Sequence, residues 1–459
     1  MKREEYINKL ISQVRCEKVH PMIEEEIRQH IEDEKERYIS FGKSEEEAEE
    51  LAVKQMGNPV DAGKQLDEVH RPLMAWDVII MALIAAGVGL ISQFVLMRKT
   101  EISSFMPDPM WGVITFVFGI TVMILIGFVD YTKMGRYVKI LYPTCSVIFL
   151  ILQITNGAPT HFDLGILFSL PIPMYFNLNQ YVFLLLPLYG AFIYGQRGTG
   201  WKGFIKTMLF AIPILLNGML SLAPSVFIII VLSCGMMVIL SVVKNWFEIP
   251  KKSGVAISFF VMFVVPATGI FMFLNTVFSG RRYLQDRVNT WLHPFRYDME
   301  HAFGRFTLDF IRQNRLFGMN PLLAETGWKE SLPGGNDYGL AYLAAYYGVA
   351  VAYIVAFVIG ILLFRNLILA VRQKNPMGMM IASGASLSLL LEFTFSVLCN
   401  VGVLPSVGNC PFLTYSGNGM LVTGILIGML LSVYRHQNIV DEARACVRKT
   451  NVTIHGQCQ

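Results

Sequence analysis

Pro224-Ser225-Val226-Phe227-Ile228-Ile229-Ile230-Val231-Leu232-Ser233-Cys234-Gly235-Met236-Met237-Val238-Ile239-Leu240-Ser241-Val242-Val243 runs without a charged residue. A helix rising about 1.5 Å per residue needs roughly twenty apolar positions to cross a hydrocarbon core about 30 Å thick. Nine further windows read the same way: 76–97, 111–129, 138–155, 180–195, 205–222, 254–278, 337–364, 378–399 and 412–434. Of these, 180–195 is short and 138–155 is polar at its start. The chain is 54% hydrophobic and 16% charged, with mean hydropathy +0.48. That balance excludes a soluble enzyme. The expected fold is all-α: a polytopic membrane protein of about ten transmembrane helices plus a small N-terminal cytoplasmic helical domain.

The basic residues alternate along the connections. Lys133, Arg136, Arg197, Lys202, Lys206, Lys244, Lys251, Lys252, Arg365, Arg372 and Lys374 fall on one side, while the short loops of the other hold little beyond Arg98 and Lys99. The positive-inside rule then puts both termini in the cytoplasm and the long connection 279–336 outside. Residues 1–72 hold 18 acidic and 12 basic side chains, and the remainder 16 acidic and 26 basic. The reading is an acidic cytoplasmic head at 1–72, a ten-span body at 73–436 and a cytoplasmic tail at 437–459. The polar start is no cleavable signal peptide. Seven Cys are scattered without metal spacing. Cys399 and Cys410 both fall near the outer face, open to a disulfide, with two free thiols the simpler reading.

The head reads as helices over 4–15, 22–38, a third from Ser44 and a short last one over 60–68. Ser44 and Glu47 form a capping box, and Met56-Gly57-Asn58-Pro59 stops the third helix. This pattern resembles the three-helix prefix modules of bacterial permeases and sensor-like membrane proteins. An acidic solvated bundle without a ligand accounts for it equally well.

The long connection carries the chemistry. It opens with Gly280-Arg281-Arg282-Tyr283-Leu284-Gln285-Asp286-Arg287 and Trp291-Leu292-His293-Pro294, and ends Leu332-Pro333-Gly334-Gly335-Asn336-Asp337-Tyr338-Gly339. An Arg-rich, aromatic loop followed by a helix that begins at a carboxylate suits a polar substrate handled at the bilayer surface. His293 and His301, with Asp298 and Glu300 nearby, form a weak metal pattern and read better as polar loop residues. There is no internal repeat, no Gly-x-x-x-x-Gly-Lys phosphate loop and no His/Glu metal cluster.

Three stretches are similar to one family, the SEDS (FtsW/RodA/SpoVE) peptidoglycan glycosyltransferases. Tyr283-x3-Arg287-x3-Trp291-Leu292-x-Pro294 resembles its Tyr-x3-Arg-x3-Phe-Leu-x-Pro, and Leu316-Phe317-Gly318 its Gly-Leu-Phe-Gly. Leu332 to Tyr338 resembles Leu-Pro-Glu-x-x-Thr-Asp-Phe, with Ala341 and Gly348 at the family's distances from the Asp. Val403 to Gly417 resembles Gly-Leu-Leu-Pro-x-x-Gly-x-x-Leu-Pro-Phe-x-Ser-Tyr-Gly-Gly. The likeness is close over 278–434 and rests on topology before that. There are departures. Gly334 follows Pro333 where the family has Glu, and the motif is one residue shorter. The family's paired acids become Ala345 and Tyr346. Its Gly-Ala-x-Arg-Trp and Gln-Pro-Ser-Glu segments are not found, and Pro224-Ser225-Val226 stands for Pro-Asp-x-Gly-Thr. Tyr415-Ser416-Gly417-Asn418-Gly419 replaces Tyr-Gly-Gly-Ser.

The resemblance implies polymerisation of lipid II, with Asp337 as the base and Arg287 gripping pyrophosphate through its bidentate fork. Tyr283, Trp291, Asn336 and Tyr415 join the substrate-binding set, although Tyr283 and Trp291 read more simply as interfacial aromatics, and Tyr415, with Pro411 and Gly408, as shaping the turn between the ninth and tenth spans. A helix cap, worth about 1 kcal/mol, is the plainer role for Asp337, although Asn336 could supply it. For Arg287 the plainer role is an ion pair with Asp286 or Asp298. No metal site follows, and a divalent cation is the one cofactor left open. Implied partners are an undecaprenyl-linked precursor, the membrane and a class B penicillin-binding protein, without nucleic acid, in a bacterial plasma membrane. The alternatives are an inactive scaffold or regulator of the same fold, favoured by the missing Glu, and a lipid-linked precursor transporter, disfavoured by the few polar residues within the spans.

Overall fold

The structure is a computed structural model and describes residues 1–70, 74–99, 109–156, 161–163, 175–221, 223–269, 313–321, 338–401, 403–404, 410–413 and 417–437. The chain divides into two compact units, Met1–Met74 with Tyr434–Gln459, and Ala75–Val433.

The first unit holds α1 (Arg3–Ile11), α2 (His20–Ser40), α3 (Glu45–Gln55) and α4 (Pro59–His70). Their apolar faces meet in a core of Tyr6, Ile7, Leu10, Val14, Val19, Ile23, Ile31, Ala52 and Val53. The helix ends are set by local chemistry. Ser44 Oγ accepts the Glu47 amide at 3.3 Å, and Asn58 Oδ1 accepts the Val60 amide at 3.1 Å ahead of the N-terminal Pro59. The first helix ends at Ile11, four residues before the sequence reading, and the turn lets Arg15 reach α4. The buried Asp67 carboxylate accepts from the Arg15 backbone N (2.9 Å), Nε (3.0 Å) and Nη2 (2.6 Å).

Among the described residues the strands of the second unit are an antiparallel pair, β1 (His161–Asp163) and β2 (Tyr175–Asn177), with Phe162 opposite Phe176. Its helices are α5 (Trp76–Lys99), α6 (Pro109–Phe128), α7 (Tyr131–Asn156), α8 (Leu178–Tyr181), α9 (Leu185–Tyr194), α10 (Gly200–Leu220), α11 (Pro224–Val243), α12 (Lys251–Phe259), α13 (Gly339–Tyr347), α14 (Val349–Val371), α15 (Pro376–Asn400) and α16 (Gly417–Arg435). Among the described residues seven helices are long and apolar enough to cross a membrane, and three shorter apolar ones occupy Trp76–Ser92, Gly112–Phe128 and Leu178–Tyr194. This is an all-α polytopic membrane protein. Several spans differ in their bounds from the sequence reading, the tenth beginning at Gly417 rather than at 412. The third span starts at Tyr131, its polar first turns extending the helix with exposed Lys133, Arg136 and Lys139. The eighth is not continuous over 337–364, because Gly348 at φ +101° breaks it into α13 and α14.

α15 is the axis of the body, buried at every position from Gly378 to Leu389. Small residues let its neighbours touch backbone to backbone. A Cβ on Gly384 would stand 2.7 Å from Leu186 O, and one on Gly190 of α9 would stand 2.4 Å from Met380 O. Buried polar groups tie the next layer: Tyr142 OH of α7 donates to Phe210 O (2.6 Å), Tyr189 OH of α9 to Thr207 O (3.1 Å) and Asn217 Nδ2 of α10 to Ser146 O (3.1 Å). Arg365 of α14 pairs with Asp77 of α5. Beyond Phe259, α12 widens into a π-helical stretch, Phe260–Val264. Gly235 of α11 faces it, where a Cβ would lie 2.3 Å from the Phe263 ring.

Leu10 is fully buried in the head, so Leu10→Ala should cost the head about 2–5 kcal/mol through lost burial and a cavity. Hydrogen exchange on the full chain should quicken in α1, α2 and α3 and stay unchanged in α9 and α15.

Candidate active site at the α13 end of the body

In sequence Asp337, the candidate base, stands two residues before Gly339, where α13 begins. The helix is short and its residues Leu340–Tyr346 are all buried. The side chain at its N-cap, Tyr338, makes no capping hydrogen bond. The cap comes from another span instead. Asn400 Oδ1, at the end of α15, accepts the Ala341 N–H at 2.8 Å, while Asn400 Nδ2 donates to Ser396 O at 2.8 Å. One of the orphan amides of the first turn is thus satisfied in the interior, where leaving it unpaired would be costly. Gly339 admits Leu413 of the following turn, 3.1 Å from where a Cβ would stand.

The other end of α13 is held by residues 313–321. Gly318 N donates to Tyr347 O (3.1 Å) and Asn320 N to Ala345 O (2.8 Å), while Val349 N and Ala350 N donate to Arg315 O (2.9 Å) and Leu316 O (3.1 Å). Helix end and helix start are satisfied by one strip of chain. Gly348 is required twice over, by its positive φ and because a Cβ there would meet Leu316 O at 2.4 Å. Asn320 is fully buried and donates to Asn314 Oδ1 at 2.7 Å.

Glu392, Ser396 and Asn400 recur every fourth residue on α15 and are all buried, forming one polar stripe that ends at the α13 cap. Cys410 lies beside Ser396 and within the field of Glu392, and burial pushes its thiol up to about 12. It is therefore protonated at neutral pH and is no nucleophile. Cys399 and Cys410 are both free, which excludes the disulfide. Tyr181 OH of α8 donates to Asn418 Oδ1 of α16 at 3.1 Å. Phe412 takes φ +67°, a strained conformation for an aromatic residue. It packs its carbonyl into the space left by Gly89, beside a crevice lined by Ala86, Leu90, Thr115, Phe116 and Met420.

Asp337, Arg287, Tyr283, Trp291, Asn336 and Tyr415 lie outside the described residues, as do His293, His301, Asp298 and Glu300. What the structure brings together among the described residues is the 313–321 strip, α13 and the 410–413 turn. Ala345 and Tyr346, where the resembled family carries acids, are buried at 0% and 6% exposure. Among the described residues no group of His, Cys, Asp and Glu could hold a metal ion. Sequence reasoning missed Asn400 and Glu392. Glu392 had a signal, being an acid inside an apolar window. Asn400 had none, because its role depends on a partner 59 residues away.

A family model described as "Cell cycle protein" (FtsW/RodA/SpoVE) matches residues 74–439. Over 151 residues the chain is 26% identical to a probable peptidoglycan glycosyltransferase FtsW of Caulobacter vibrioides, covering 32% of this chain and 38% of that one. Over 71 residues it is 35% identical to the FtsW of a Thioalkalivibrio species, covering 15% and 18%. The chain thus spans well under half the length of these curated relatives. Among solved structures it resembles a chain of a peptidoglycan synthase complex, studied for its structural coordination of polymerization and crosslinking, at TM-score 0.59 and 17% identity over 79% of this chain and 98% of that one. It also resembles the rod shape determining protein RodA of Thermus thermophilus, at TM-score 0.52 and 15% identity over 79% and 97%. At these identities the likeness is one of fold.

Asn400→Leu keeps the side-chain volume and removes the acceptor. It should leave the Ala341 amide unpaired, lower stability by about 1–3 kcal/mol, and raise exchange at the start of α13 more than at its middle. Unchanged exchange there would remove Asn400 as the cap.

Proposed function

The chain belongs to the FtsW/RodA/SpoVE (SEDS) family, and from that premise we propose that it polymerises lipid-linked disaccharides into glycan at the outer face of a bacterial plasma membrane. The observation that carries this reading is the family match across 74–439, joined to the packing of two motif segments, 313–321 and 410–413, on the helix that follows Asp337. A hydroxyl of one lipid II attacks the anomeric carbon of the growing chain. Its proton passes to the Asp337 carboxylate, the bond from carbon to pyrophosphate breaks, and undecaprenyl pyrophosphate leaves with the electron pair. Arg287 stabilises the charge that gathers on the leaving group, and Tyr283, Trp291, Asn336 and Tyr415 line the substrate. A divalent cation on the pyrophosphate is compatible with this chemistry. The partner is a class B penicillin-binding protein that cross-links the product.

A second reading is favoured by one observation. Ala345 and Tyr346 are packed into α13, where the family's paired acids would need buried partners. In that reading the chain keeps the fold and serves as a scaffold in wall synthesis. Asp337→Asn separates the two. Asn caps a helix as well as Asp does, so folding should be unaffected, while lipid II polymerisation by purified protein should fall at least about a hundredfold. Arg287→Lys should give an intermediate loss, keeping charge without the fork. A wild-type rate for Asp337→Asn would remove Asp337 from the mechanism, and no polymerisation by the unaltered protein would leave the scaffold standing.

The orientation follows from the alternating basic connections, with head and tail cytoplasmic. On intact cells a membrane-impermeant maleimide should label a Cys introduced at 300 and spare one at 30. The reverse pattern would overturn the orientation.

A further inference from the structure

The connections α9–α10 and α11–α12 are built against each other at one end of the body. Gly198 N donates to Trp246 O at 2.8 Å, the Arg197 guanidinium sits 5.9 Å over the Trp246 ring, and Tyr194 meets the same ring edge-on at 6.0 Å. Phe204 of α10 packs on Phe247 at 5.6 Å. Trp246, Phe247 and Ile249 are buried beneath this corner, and Asn245 and Glu248 take positive φ to allow it.

What the corner exposes is cationic. Arg197, Lys202, Lys206, Lys244, Lys251 and Lys252 are all exposed, and Glu248 is the only acid in the whole stretch 195–252. Among the described residues the five lysines form no ion pair. Three of them stand where a helix disfavours them. Lys202 lies in the first turn of α10, and Lys251 and Lys252 open α12, at the positive end of each dipole. Both helices also begin without a side-chain cap, at Thr199 and Pro250. Two uncapped helix starts and six cations therefore converge on one corner, an arrangement that costs the helices something and draws anions. Trp201 is 44% exposed beside it, a residue type that settles at the membrane interface and sets the corner at headgroup depth.

We propose that this corner is a binding site for anionic phospholipid headgroups, the lipid phosphate being held by the lysines and Arg197. The site is independent of the glycan chemistry and would remain if that reading failed. In the proposed orientation it faces the inner leaflet, whose surface charge attracts such clusters.

The test uses purified full-length protein in a mild detergent, with phosphatidylglycerol and phosphatidylcholine as probes and retained lipid counted by native mass spectrometry. The wild type should retain phosphatidylglycerol in preference to phosphatidylcholine. Each single Lys→Gln change at 202, 244, 251 or 252 should weaken retention about fivefold, the scale of one basic residue at a charged surface. The combined change should abolish the preference without altering the unfolding temperature. A control neutralising Lys133, Arg136 and Lys139, at the start of α7, should leave it intact. Equal loss in the control, or equal retention of both lipids by wild type, would overturn the site. Competition by millimolar inorganic phosphate as effective as added lipid would assign the corner to a soluble anion and overturn the lipid proposal.

Discussion

Inside a bilayer a backbone has no water to fall back on, and the membrane body is organised by that scarcity. Helices solve the problem along their length, but their ends and junctions remain, and they are closed by other parts of the chain. α15 makes this possible. Its run of Gly, Ala and Ser lets α9 come close enough for carbonyls to press on the Gly190 and Gly384 positions. Hydroxyls along the bundle bond back to carbonyls of their own helices, as Ser388 does to Ala385 O and Thr207 to Gly203 O, so that polar residues inside spans present a largely apolar exterior.

The same economy explains the candidate site. α13 is too short to stand alone in lipid and too buried to be capped by water. It is held by Asn400 at one end and by the 313–321 strip at the other. The polar stripe beneath, Glu392 and Ser396, belongs to the same support, since Asn400 bonds to Ser396 O.

Sequence reading reached most of the architecture for a simple reason. Crossing hydrocarbon demands a long apolar run, and that demand is local in sequence. Helix ends with their own chemistry, such as Ser44 ahead of α3, were equally legible. Features that depend on a distant partner were not. Gly348 reads as one glycine in an apolar window, and only its contact with Leu316 makes it a break. Asn400 reads as the polar end of a span, and only the Ala341 amide makes it a cap. The third span was placed late because its first turns are charged. The candidate catalytic residues came from motif resemblance, which carries spacing and chemistry but no contacts.

The widened turn at Phe260–Val264 has a consequence of another kind. A π-helical turn holds one residue more than an α-helical one, so everything in α12 beyond it is rotated by about 100° relative to a regular continuation. The stripe that α12 shows to α11 before Phe260 is therefore out of phase with the stripe it shows afterwards. Such a turn is what remains when a helix absorbs a single inserted residue without unwinding. Among the described spans α12 is where chain length and helix length are uncoupled, one residue being taken up at Phe260–Val264 without ending the helix.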